Sequence, residues 1–253
     1  MRYFIRLSFK GSRYGGWQKQ RNAPSVQAEV ERALSLYLGE AIEVCGAGRT
    51  DAGVHALHYV AHFDSNRLDL QKKHISYAYK LNAILSSDIC VHAITLVSNE
   101  AHARFDALSR SYKYYIHFTK DPFAQEYSAF CPFALNLDDM NRAAALLLGT
   151  HDFTSFAKLY GGNKTAICTV TKALCSPYES ECSHGLVFEI SANRFLRNMV
   201  RAIMGTLIDV GRGKIVPEEV IAILAKKSRN AAGASVLAQG LFLYKIDYPY
   251  PVL

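Results

Sequence analysis

The chain has 253 residues, half of them hydrophobic and a fifth charged, which is the balance of a globular protein rather than a disordered one. That length buries a sizeable core without disulfides or metals, and no run of about 18 apolar residues is present to form a membrane-spanning helix. Lysine and arginine number 29 against 22 acids, a net +7 shared as +3 (13 minus 10) over residues 1–108 and +4 (16 minus 12) over 109–253, so a polyanionic partner is expected to touch both halves or a cleft between them.

Residues 3–9 alternate as a strand and lack the long apolar core of a signal peptide, which places the protein in the cytoplasm as an expectation. The apolar spacing of Val26, Val30, Ala33, Leu34 and Tyr37 predicts a helix, with Ser25 as its N-cap and Gly39 just past its end. Ala41–Cys45 and Leu57–Phe63 read as strands, about 70–85 as a less regular helix, and Ile89, Val91 and Ala93 as a fourth strand. The later half begins with a strand carrying Tyr112, Tyr114, Ile116 and Phe118 on one face, followed by a helix from Asp138 to Leu148 ending at Gly149. Strands follow near 168–175 and 185–192. Next come a helix with Leu196, Val200, Ile203, Leu207 and Val210 on one face, another from Pro217, and a closing strand at Leu241–Ile246. Each half therefore has the order β-α-β-β-α-β of a ferredoxin-like unit. The expected class is α+β, with halves 1–108 and 109–253 sharing a central antiparallel sheet, helices on one face and a cleft on the other.

Within this frame the run Gly48-Arg49-Thr50-Asp51-Ala52-Gly53-Val54-His55-Ala56 isolates one carboxylate in a glycine-bracketed loop between two strands. Asp51 is then either a turn cap, bonding a nearby backbone N–H, or a nucleophile or base. Arg194, Arg197 and Arg201 recur at helical spacing and would share a face, either solvated or aimed at an anion. Trp17 sits in a glycine-rich loop among Arg13, Lys19 and Arg21, a composition that can grip RNA or simply connect two elements. Tyr112 is a core tyrosine or, at the edge of a cleft, one that stacks on a base. His55, His58 and His62 would converge on a metal only in a helix, and the neighbouring Tyr59, Val60 and Phe63 favour a strand. The six cysteines (Cys45, Cys90, Cys131, Cys168, Cys175 and Cys182) form no Cys-x-x-Cys pair and are read as reduced thiols. No phosphate-cradling or dinucleotide motif is present, so neither an ATP requirement nor an organic cofactor is expected.

Seven motifs, in order along nearly the whole chain, resemble the tRNA pseudouridine synthases that modify the anticodon stem-loop. They are Gly15-Gly16-Trp17-Gln18-x-Gln20, Ser25-Val26-Gln27, Ala47 to His55, His102-Ala103-Arg104-Phe105, Arg110-x-Tyr112-x-Tyr114, His151 to Phe156, and Asn193-x-Phe195-Leu196-x-x-Met199-Val200-Arg201. The resemblance implies that Asp51 is the catalytic nucleophile, that Tyr112 lies against the target uracil and that Arg201 pairs with Asp51. Arg49, Trp17, Arg194 and Arg197 are further candidates for RNA contact. It also implies uridines 38, 39 and 40 of tRNA as targets, a homodimer, and no metal or organic cofactor. A non-catalytic RNA-binding protein on the same fold is the alternative. Segment 157–166 has no matched counterpart.

Overall fold

The computed structural model describes residues 1–66, 74–158, 165–179 and 184–252. Cys182, the start of the helix expected from residue 70, and most of segment 157–166 lie outside them. The protein belongs to the α+β class, with mostly antiparallel strands and few helices, and divides into two compact units: Met1–Leu108 with Leu243–Leu253, and Ser109–Phe242. The chain from Leu243 onward thus packs with the first unit, although its place in the sequence grouped it with the second half.

In the first unit, β1 (Arg2–Phe9) pairs antiparallel with both β3 (His55–Asp64) and β4 (Ile89–Val97). The order is β4-β1-β3, with β2 (Val44–Gly46) pairing Ala61–Phe63 of β3 and the last strand, β10 (Leu241–Asp247), next to β3. Only Val44 and Cys45 of the strand expected at 41–45 enter this ladder. Alternation along β1 buries Tyr3, Ile5 and Leu7 completely on one face. On the other, Phe4 and Val60 pack with Ala101 and Ala103 beneath Tyr248, Tyr250 and Val252. The Tyr248 and Tyr250 hydroxyls donate to the Ala103 carbonyl (2.5 Å) and the Asp106 carboxylate (2.6 Å), which ties the C-terminal segment to the unit.

Helix α1 (Val26–Leu38) begins where Ser25 accepts the Ala28 N–H (3.3 Å) and ends where Gly39 takes a left-handed conformation at φ 68°. Helix α2 (His74–Ile84) packs on β4. Among the described residues no helix is long and apolar enough to cross a membrane.

In the second unit, β5 (Ser109–His117), β9 (His184–Ala192), β8 (Ile167–Glu179) and β7 (Gly149–Asp152) form an antiparallel ladder in that order. The two-residue strand β6 (Ala129–Phe130) runs parallel to β5. Neither β6 nor β7 was expected, since each is too short to carry an alternation. Pro177 lies within β8, opposite Leu186 and beyond the stretch that β7 pairs, where its missing N–H breaks no second ladder. Helix α3 (Leu137–Ala145) is capped by Asn136, whose side chain accepts from the Asp138 and Asp139 N–H groups (both 3.1 Å). Helices α4 (Met199–Gly211) and α5 (Glu219–Lys226) follow β9.

Segment 229–237 lies directly against α4. A Cβ added at Gly205 would stand 1.7 Å from the Ala234 carbonyl oxygen, and the Gly233 N–H donates to the Thr206 hydroxyl (2.9 Å). Gly205→Ala is accordingly expected to cost about 3 kcal/mol through forced separation of two backbones, lowering Tm by roughly 6–12 °C. Gly213→Ala is the comparison: its φ is +69° with nothing within 4 Å, so only the left-handed backbone penalty of about 1 kcal/mol applies. Equal melting shifts for the two variants would contradict the close approach.

Candidate active site and its supports

Asp51 stands in the loop between β2 and β3, and a second loop, between β1 and α1, grips that loop at four points. The Gly53 N–H donates to the Tyr14 carbonyl (3.3 Å), the Trp17 N–H to the Thr50 hydroxyl (3.0 Å), and the Gly11 N–H to Nδ1 of His55 (3.1 Å). The fourth point is steric, since a Cβ on Gly16 would meet the Thr50 carbonyl oxygen at 2.2 Å. Gly16 also has φ +104°, a conformation that side chains rarely adopt, so glycine is required there twice over. The turn itself closes through the Val54 N–H on the Asp51 carbonyl (3.2 Å), with Gly53 at φ 79°. Thr50 and Val54 are buried, Asp51 is half-buried, and Arg49 and Ala52 are exposed. The carboxylate is thus presented from a backbone fixed on both sides.

Trp17 does not offer its ring to a ligand. It is only 3 % exposed, stacks on Tyr59 with ring centroids 4.1 Å apart and lies 6.2 Å from Phe9. The Tyr59 hydroxyl donates in turn to the Gly48 carbonyl. The expected stacking of Trp17 on RNA is corrected to a packing role: the ring is the wedge beneath the Asp51 loop. Burial of the Trp17 ring is not readable from the neighbouring bases and glycines of its loop.

Tyr112 and Arg201 belong to the second unit. Tyr112, on β5 opposite Ile190, is half-buried and packs edge-on against Phe195 at 5.1 Å. Its strand neighbour Tyr114 is buried, donates to the Leu237 carbonyl (2.8 Å) and is held well above the usual phenol range by that burial. Arg201 lies in the first turn of α4. Its Nε donates to the Val236 carbonyl (2.7 Å), and the Val236 N–H donates back to the Arg201 carbonyl (3.2 Å). Ser235 is fixed by the Asn198 amide (2.5 Å) and by Arg229 (2.8 Å), and Arg229 also reaches the Ala232 carbonyl (3.2 Å). The strap 229–237 therefore orients the Arg201 guanidinium. No motif of the sequence marks this strap; its small residues Ala231 to Ala234 are its one local signal.

The three arginines do not share a helical face. The chain from Asn193 to Arg197 is irregular and Asn198 takes φ 67°, so the helix starts only at Met199 and carries Arg201 alone. Asn193 is held outside the helix by bonds with Thr169, its side chain accepting the Thr169 N–H (2.9 Å) and its own N–H meeting the Thr169 carbonyl (3.1 Å). Arg197 is exposed and Arg194 half-buried.

His55, His58 and His62 lie along strand β3, which puts His55 on the face opposite the other two. A different trio, Cys45, His62 and His102, brings one donor atom each within 4.8 Å of the others. Its hydrogen bonds have the wrong polarity for a metal. Nδ1 of His62 accepts the Ala103 N–H (3.1 Å) and Nδ1 of His102 accepts those of Arg104 and Phe105 (3.1 and 3.3 Å). Each neutral ring thereby keeps its proton on Nε2, whereas a metal ligand presents a bare nitrogen and donates from the other. Nε2 of His102 faces Cys45 Sγ at 3.9 Å, and burial pushes that thiol's pKa up. The trio locks β2, β3 and residues 102–105 together.

Burial, followed by the charge of Arg2, lowers the His62 pKa from 6.5 to about 4. The unfolded chain therefore takes up this proton first as the pH falls, so the stability due to neutral His62 is complete above about pH 6.5 and is lost as the pH drops towards 4. The expected loss is roughly 3 kcal/mol, because each tenfold difference in proton affinity between the folded and unfolded chain is worth about 1.4 kcal/mol. His62→Asn, whose amide oxygen can still accept the Ala103 N–H, should flatten the acid limb of a melting-temperature profile; a limb as steep as wild type would refute the assignment.

Residues 143–249 match the family described as tRNA pseudouridine synthase. Over almost its whole length the chain is also similar to the tRNA pseudouridine synthase A of Bacteroides fragilis, at 46% identity over 99% of this chain and 98% of the relative. The corresponding figures are 45%, 98% and 97% for Porphyromonas gingivalis and 38%, 98% and 99% for Bacillus subtilis. With identity of that degree running from end to end, the chain belongs to the tRNA pseudouridine synthase family.

Proposed function

We infer that the protein isomerises uridine to pseudouridine in tRNA, with Asp51 as the nucleophile and the anticodon stem-loop uridines 38, 39 and 40 as targets. The observation that supports this most is the pairing of near full-length similarity to synthases of this type with an Asp51 loop clamped at four points by its neighbour. The reaction breaks the bond from uracil N1 to ribose C1′, turns the base and rebonds C1′ to C5, while C5 gives up a proton and N1 gains one. No atoms or electrons are gained or lost overall. A positioned carboxylate can assist by attacking uracil C6 or ribose C1′.

In this reading Tyr112 and Arg201 assist Asp51. Arg201, its Nε anchored on the Val236 carbonyl, would stabilise the ionised carboxylate and aim it. Tyr112, braced by Phe195, would lie against the extruded uracil. Extrusion costs a few kcal/mol, and exposed Arg49 and Arg197 with half-buried Arg194 are suited to offset it through backbone phosphates. A cytoplasmic homodimer completes the proposal; a mass near twice that of one chain by light scattering would support it.

Tritium release from C5-labelled uridine in a tRNA transcript tests the chemistry. Wild type should release the label, and Asp51→Ala should release none while still binding tRNA. Asp51→Glu displaces the carboxylate by about 1 Å and should lose around a hundredfold in rate. Release by Asp51→Ala equal to wild type would remove Asp51 from the mechanism. A wild type that binds tRNA but never releases label would instead favour a purely RNA-binding protein on this fold.

A further inference from the structure

The face of β1 that carries Phe4 also carries Arg6 and Ser8. Arg6 pairs in register with Val60 and Ala93, and His92 meets the Ser8 hydroxyl at 2.8 Å through Nε2. His58 stands on the same face of β3. Two polar atoms here, Nε of Arg6 and Nδ1 of His58, are buried and lack a hydrogen-bond partner among the described residues. Such atoms each cost roughly 1–3 kcal/mol when left unsatisfied, and native proteins rarely leave them so without a ligand or a function.

The charges are equally one-sided. His58 and His92 are both pushed below the ordinary histidine range, by burial first and by Arg6 second, and among the described residues the only acid acting on His58 is Asp247. Asp247 is already paired with Lys245 at 2.8 Å. An arginine and two imidazoles gathered without a carboxylate of their own match a tetrahedral oxyanion, which offers several acceptors at once.

We propose that Arg6, His58 and His92 form a contact for a backbone phosphate of the bound RNA. This deepens the reading above, since it rests on tRNA being the ligand, and adds three residues that lie outside the seven motifs. Arg6 supplies the fixed charge and the imidazoles supply hydrogen bonds that hold the phosphate in place.

The test is the affinity for an unmodified, fluorescently labelled tRNA transcript, measured across a series of potassium chloride concentrations. Each neutralised phosphate contributes roughly 0.7–0.9 to the slope of log affinity against log salt. Arg6→Gln should lower that slope by about this much and weaken binding at low salt, and Arg6→Lys should restore the slope. A slope for Arg6→Gln equal to wild type overturns the proposal. Should Arg6→Gln fail to fold, His92→Gln reads the same contact from an exposed side chain: a severalfold loss of affinity is expected, and wild-type affinity overturns it. Failure of the isomerase reading looks different, because wild type would then release no tritium whatever the Arg6 variants do.

Discussion

Everything proposed for the catalytic carboxylate depends on the interlock between two loops of the first unit. One carries Asp51 and the other runs from Gly11 to Trp17, and neither would hold its shape alone. Backbone N–H groups that a loop would otherwise leave to solvent are spent across the junction, on Tyr14, Thr50 and His55. Gly16 brings the two backbones closer than any side chain would permit. Beneath them Trp17 and Tyr59 form an aromatic floor whose hydroxyl holds Gly48 from below. A carboxylate on such a platform has little backbone freedom left to lose when substrate arrives, which is how an enzyme meets the orientational demands of nucleophilic attack.

The second unit solves a matching problem with different parts. A guanidinium has many donors and a long flexible stem, so an arginine in the first turn of a helix sweeps a wide arc unless something holds it. The strap 229–237 holds Arg201 by taking Nε and by bonding back to its carbonyl. Close approach again makes this possible, through Gly205 and Gly233 against the opposing backbone. Asn198 at positive φ is part of the same device: it starts the helix sharply and reaches Ser235. The cost of an asparagine in the left-handed region is small because its short polar side chain tolerates that conformation and finds a partner.

The polarity of hydrogen bonds decides between roles that residue type leaves open. Cys45, His62 and His102 have the composition and spacing of a metal site, yet three backbone N–H groups pointing at Nδ1 make the trio a structural clasp. Arg6, His58 and His92 lie outside the seven motifs, yet the buried nitrogens of Arg6 and His58 that find no partner among the described residues single out this face as a candidate contact. In both cases the informative quantity is where protons sit and what they face.

The sequence by itself determined the elements whose signals are local. Strand β1, helix α1 with its Ser25 and Gly39 ends, the strand nature of residues 57–63 and the prominence of Asp51 were all legible, because alternation, helical period and capping chemistry act between near neighbours. The family was legible too, since seven motifs in order are far more specific than any one. Tertiary structure alone decided the rest. It turned Trp17 from a candidate RNA contact into buried support, separated Arg194 and Arg197 from the helix that carries Arg201, grouped the chain from Leu243 onward with the first unit, and brought a strap of alanines and one glycine against the arginine it orients. Each of these depends on which surfaces meet across long stretches of chain. A one-dimensional pattern records that a residue can be buried or can bond, but the partner that makes it do so lies tens of residues away.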